Sequence, residues 1–215
     1  MSDPRLRLTL ITDGVGDLAR IEAVVTGALR GGCRCVQLRE RRWSARELAR
    51  ACERLRPLVD DVAGLLLVND RVDVAAAGLA HGAQVGARSL PFDAARAALS
   101  APALLGASVH DAAELRAAEA AGCDFVLLAP VWPSASKPGL GGLGVESAGA
   151  LTETAKVPVI WLGGVSIERV AALPRPRRPA GFAAISALMG ADDPERAARA
   201  LLCAGQDRTL DPDRG

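Results

Sequence analysis

Short apolar runs and amphipathic stretches alternate along the whole chain. The runs are RLTLIT (7–12), CVQLR (35–39), LLLVN (65–69), GAQVG (82–86), LLGASV (104–109), FVLLA (125–129), VPVIWLG (157–163) and GFAAIS (181–186). Each is about strand length, is bounded by Gly, Pro or Asp, and has few polar interruptions. That is the pattern of parallel strands buried on both faces. Between them the polar positions recur with a helical period. Leu18, Ile21, Val25 and Leu29 share one face of 17–30. The stretch 44–58 opens with Ser44 and Glu47 in capping-box spacing. Asp111 caps a helix predicted over 111–121, and Asp193 with Pro194 opens one over 193–204. Shorter helices are predicted at 71–79 and 166–173.

Eight such runs in strict alternation with helical connections predict an α/β fold, a single (β/α)8 TIM barrel over 1–205. Residues 206–215, QDRTLDPDRG, read as a polar tail. The alternative is an open, doubly wound sheet. It usually has fewer strands and a G-x-G-x-x-G turn after the first, and TDGVGD lacks that spacing.

Composition narrows the function classes. Half of the 215 residues are apolar but only 3% are aromatic, so the core must be built from Ala, Val, Leu and Ile. A net charge of +1, without a basic stripe interleaved with aromatics, argues against a nucleic-acid partner. No run approaches membrane-span length, and MSDPRLRLTL has no signal-peptide core. The five cysteines, at 33, 35, 52, 123 and 203, lack C-x-x-C spacing and read as reduced thiols, Cys33 and Cys35 as small buried hydrophobes. A soluble cytoplasmic chain is expected, and self-association is compatible with it.

In such a barrel the chemistry sits where the strands end. Gly163 and Gly164 after the seventh run would let backbone N–H groups approach an anion, and Ser186 after the eighth adds a hydroxyl. Ser134, Ser136 and Lys137 would close this phosphate grip from the loop after the sixth, and loop 134–145 is expected to order over a ligand. The plainer alternative is that the glycine pair is only a tight turn. Arg39 and Arg41 alternate at the second strand end and, with Asn69, suit a second anion or a polar heterocycle. The competing reading pairs Arg39 with Asp70 or Glu40. Ser108 and His110 close the fifth strand, and a neutral imidazole there can shuttle a proton near neutral pH. Local packing or capping is the bland alternative for His110. His81, before the fourth strand, belongs to the opposite rim and reads as structural. Trp43 and Trp132 could wall a ring pocket, whereas Trp161 should pack.

The collinear motifs VQLRERRWS, LLLVNDRVDVA, GAQVGARSLP, LGASVHD, LAPVWPSASKPG, PVIWLGGVS and AAISALMGADDP resemble the thiamine phosphate synthase family and its sister branch, the thiazole tautomerases. The resemblance runs from about residue 7 to 204 and implies a (β/α)8 barrel acting on a small-molecule thiazole phosphate. It implies that Gly163, Gly164, Ile185 and Ser186 grip the thiazole phosphate, with Ser134 and Ser136 at usual threonine positions and Lys137 at the family's lysine. It further implies that Gln37, Arg39 and Asn69 hold a pyrimidine diphosphate, that Arg41 stands for a lysine, and that Asp70 is one magnesium ligand.

One motif departs. Synthases read like V-H-L-G-Q-x-D-L-P after the fourth strand, where this chain has AQVGARSLP. Ser89 replaces the second magnesium carboxylate, with Arg88 beside it. On that ground the expected activity is a metal-independent thiazole tautomerase, without a cofactor and with His110 as acid and base. The alternatives are a Mg2+-dependent thiamine phosphate synthase, and a non-catalytic barrel that binds a phosphorylated ligand.

Overall fold

Each apolar run becomes a strand bonded to its neighbours in sequence, and the last returns to the first. The computed structural model describes residues 3–86, 88–133, 141–174 and 178–205. The strands are β1 Leu8–Ile11, β2 Cys35–Leu38, β3 Leu65–Asn69, β4 Gly82–Val85, β5 Leu104–Val109, β6 Phe125–Leu128, β7 Val159–Leu162 and β8 Gly181–Ala184. They close in that order into an all-parallel barrel, with Thr9 opposite Cys35 on one side and Ala183 on the other. The open-sheet alternative is thereby excluded.

The helices are α1 Leu18–Arg30, α2 Ala45–Asp60, α3 Val72–Ala76, α4 Phe92–Ala98, α5 Ala112–Ala120, α6 Val145–Thr154, α7 Ile167–Ala171, α8 Ser186–Met189 and α9 Pro194–Gly205. The caps read from the sequence are present, the Ser44–Glu47 capping box on α2 and Asp111 on α5, and the structure adds Asp17 as the cap of α1. Two boundaries differ from expectation. The 71–79 stretch shortens to α3, because Ala77 and Gly78 turn the chain out at a left-handed glycine. Helix α2 runs through Pro57 to Asp60, held by its buried face of Leu48, Cys52, Leu55 and Val59. The single turn of α8, directly after β8, has no amphipathic signature of its own length.

Strand residues alternate between two packed layers. Leu8, Leu10, Val36, Leu38, Leu66 and Val68 face the helices, with Trp161 buried among that layer. Ile11, Cys35, Leu65, Leu67, Phe125, Leu127 and Ile160 fill the barrel. Burial pushes the Cys35 thiol up to about 12, only partly offset by the Thr9 hydroxyl, as expected of a small core hydrophobe. Toward the C-terminal ends the inward layer turns polar. Gln37, Asn69, Gln84 and Ser108 occupy the inward positions there, so the fold delivers its hydrogen-bonding side chains to one rim.

Candidate functional site

Gln37 and Gln84 are almost wholly buried, at 2% and 1% exposure. Each uses its amide nitrogen across to a neighbouring strand or the next: Gln37 donates to Asn69 Oδ1 at 3.1 Å, and Gln84 donates to the Ser108 hydroxyl at 3.1 Å. Each leaves its carbonyl oxygen without a partner among the described residues. A buried acceptor left open costs stability, and such atoms cluster where a ligand completes the bonding. The link of Gln84 to Ser108 has no local signal in the sequence.

Above this polar layer lies a cluster built from the ends of β2, β3 and β4. Asn69 Nδ2 donates to Asp70 Oδ2 at 2.6 Å, and Ser89 donates its hydroxyl to Asp70 Oδ1. The Ser89 oxygen in turn accepts the Gly86 N–H at 2.8 Å. The Asp70 backbone N–H donates to Gln84 O at 2.8 Å, which holds this residue in the left-handed region at φ 61°. Around this knot stand three guanidiniums, those of Arg39, Arg41 and Arg88. None makes an ion pair or side-chain hydrogen bond among the described residues. Arg39 is half-buried, and its pKa is lowered, first by burial and then by the neighbouring Arg41. Asp70 and Glu40 partly offset this, and Arg88 adds to it. The competing reading, a salt bridge of Arg39 to Asp70 or Glu40, is not borne out. Asp70 is taken by Asn69 and Ser89, while the buried Glu40 accepts the Gly14 N–H at 3.2 Å. A half-buried cation without a counter-ion is costly, and an incoming anion removes that cost.

A magnesium ion of the kind the resemblance implies for a synthase requires hard, anionic oxygens. The donor set here does not fit a resident ion. Asp70 supplies the one carboxylate, both its oxygens already accept neutral donors, and three cations against two carboxylates repel a further cation. Among the described residues no group of three or more His, Cys, Asp or Glu could hold a metal.

On the other side of the mouth, Leu162 pairs with Ala183, so Gly163–Gly164 and Ile185–Ser186 leave the barrel side by side. Both glycines are left-handed, with φ 97° and 64°. A Cβ at Gly164 would lie 2.6 Å from Pro133 O and 2.9 Å from Trp132 Cβ. Arg169, which the sequence did not single out, bonds Gly164 O at 2.5 Å and ties this turn to α7. The turn is therefore tightly packed, in keeping with the plainer reading of the glycine pair. Ser186 is exposed and starts α8 behind Ile185, the short extra helix found at phosphate sites of this barrel class. Ser134, Ser136, Lys137 and most of the 134–145 loop lie outside the described residues.

His110 follows β5. Its ring Nδ1 lies 2.8 Å from Glu114 Oε2, and its backbone N–H donates to the same oxygen at 2.7 Å. A carboxylate only accepts, so the proton sits on Nδ1 and Nε2 is left as a base. Glu114 was missed, although its spacing four residues on, in the first turn of α5, could have found it. His81 uses both nitrogens: Nδ1 accepts Leu66 N–H at 3.0 Å, and Nε2 faces Asp60 at 3.1 Å. Its structural role stands. Trp132 meets the buried Trp161 edge to face at 5.9 Å and is only partly buried.

The family model for thiamine monophosphate synthase matches residues 8–188. A Geobacter sulfurreducens protein, provisionally named a thiamine-phosphate synthase, is 41% identical over 211 residues, covering 95% of this chain and 96% of its own. The thiamine-phosphate synthase of a Roseiflexus species is 37% identical over 179 residues, covering 83% and 75%. In structure, the chain is similar to thiamine phosphate pyrophosphorylase from Pyrococcus furiosus, with a TM-score of 0.82 at 31% identity, over 94% and 96% of the two chains.

Proposed function

The chain belongs to the thiamine monophosphate synthase family, and on that premise we propose that it is a thiamine-phosphate synthase, a transferase that couples a thiazole phosphate to hydroxymethylpyrimidine diphosphate. The ranking expected from Ser89 alone is thereby reversed. The relatives carry the synthase name, and one observation supports following them. Three guanidiniums, unpaired among the described residues, match the charge of a diphosphate far better than that of the single carboxylate a tautomerase would hold there.

In the reaction the thiazole nitrogen attacks the exocyclic methylene carbon of the pyrimidine. A C–N bond forms as the C–O bond breaks, and the electron pair leaves on pyrophosphate. The thiazole nitrogen keeps the positive charge. Arg39, Arg41 and Arg88 stabilise the charge that develops on the leaving group. Gln37 and Asn69 offer the pyrimidine edge an open acceptor and donor. Gly163, Gly164, Ile185 and Ser186 hold the thiazole phosphate, together with Ser134, Ser136 and Lys137 as the family resemblance implies, which aligns the two reacting atoms. Bond formation itself transfers no proton, so His110 serves here as a polar wall, and Ser108 is committed to Gln84.

The tautomerase reading keeps one observation in its favour: the Nε2 of His110, free beside a Glu114-fixed tautomer. Two assays separate the readings. In the first, purified protein receives both substrates, and thiamine phosphate with equimolar pyrophosphate is expected. His110→Ala should cost less than about tenfold in kcat/KM there. In the second, it receives the carboxylated thiazole tautomer with EDTA. Isomerisation there, lost in His110→Ala, without product in the first assay, would overturn the synthase proposal. Tight binding with turnover in neither assay would favour the non-catalytic barrel.

A further inference from the structure

We infer that Arg88 supplies, at the Ser89 position, positive charge that a two-carboxylate site would recruit as a metal ion, so that this rim holds pyrophosphate without a divalent cation. The inference rests on the synthase reading only for the identity of the anion.

The two residues lie in one short turn after β4. Ser89 is locked inward by two bonds, its hydroxyl donating to Asp70 and accepting the Gly86 N–H. That hydrogen bond ties up one oxygen of Asp70, and Asn69 ties up the other. A neutral hydroxyl therefore stands where a metal-binding carboxylate would add a negative charge. The adjacent Arg88 is exposed on the same rim, unpaired among the described residues, and close enough to act on the charge of Arg39. A carboxylate pair needs a cation to accept an anionic ligand. A single carboxylate, hydrogen-bonded at both oxygens and flanked by guanidiniums, does not, because the cations are covalently part of the protein. Guanidiniums also meet phosphate oxygens through paired N–H groups, which a fixed rim can aim.

The test is calorimetric titration of the full chain with inorganic pyrophosphate, in EDTA and again in magnesium. Wild type should bind in EDTA, with affinity changed less than about threefold by magnesium. Arg88→Ser should weaken the metal-free binding about tenfold. Ser89→Asp should bind Mn2+, read by electron paramagnetic resonance, at least about tenfold more tightly than wild type, and its pyrophosphate affinity should become magnesium-dependent. Both substitutions alter the exposed rim, and melting temperatures are measured alongside. Wild-type binding that disappears in EDTA overturns the inference, as does an unchanged Arg88→Ser. Synthase turnover on the same preparation separates the two proposals. Metal-free pyrophosphate binding without turnover defeats the function and supports this inference. Turnover with strictly magnesium-dependent binding does the reverse.

Discussion

The two rims of the barrel treat their charges in opposite ways. At the N-terminal ends of the strands, several cations are answered by the protein itself. Arg5 pairs with Asp3 at 2.6 Å, Arg96 with Asp124 at 3.0 Å, and Arg34 donates to the Leu29 and Cys33 carbonyls at 2.8 Å each. His81 spends both ring nitrogens on Leu66 and Asp60. At the C-terminal ends, among the described residues, Arg39, Arg41 and Arg88 have no such partners, two buried glutamine carbonyls stay open, and His110 keeps one nitrogen free. Satisfied polar groups hold a fold together, while unsatisfied ones on the same scaffold mark where a ligand completes it.

Substitutions that break this contrast should rank by their effect on stability. The largest is expected for Gly164→Ala. Its Cβ meets Pro133 O and Trp132 in a left-handed backbone, so unfolding free energy should fall by about 2–3 kcal/mol in chemical denaturation, with turnover falling too. Asp124→Ala comes next. It orphans the Leu105 N–H, bonded at 2.7 Å, and removes the ion pair of Arg96, for a loss of about 1–3 kcal/mol while kcat/KM stays within about twofold.

A smaller effect follows from His81, whose pKa is lowered first by burial, then by Arg56, against the pull of Asp60. The unfolded chain takes up that proton near 6.5 and the folded one only at lower pH. More protons are therefore bound unfolded, so this stability is complete above the unfolded value and is lost as pH falls through the folded one. Melting temperature should drop between about pH 7.5 and pH 5, and His81→Gln should flatten the drop.

The architecture was legible because burial on both faces writes itself as uninterrupted apolar runs, and the caps at Ser44 and Asp111 are local chemistry. The candidate site was legible by position, since every strand end could be located. Its wiring was not. Whether Arg39 meets Asp70 depends on Ser89 and Asn69 reaching that carboxylate first, from a neighbouring strand end and the adjacent residue. The extra turn α8 is too short for any periodicity, and the Arg169 tether to Gly164 follows from how α7 docks. Weight placed on Ser89 as a lost ligand pointed to a tautomerase. The same serine, set among unpaired arginines, is equally suited to a differently charged diphosphate site.

The smallest stability change, and the most direct test, belongs to Arg39→Met. A half-buried cation awaiting an anion contributes nothing to the empty fold, so melting temperature should hold or rise while kcat/KM for thiamine phosphate formation falls about 10- to 100-fold. A variant that melts earlier but turns over normally would contradict it, because Arg39 would then be part of the scaffold and not of the site.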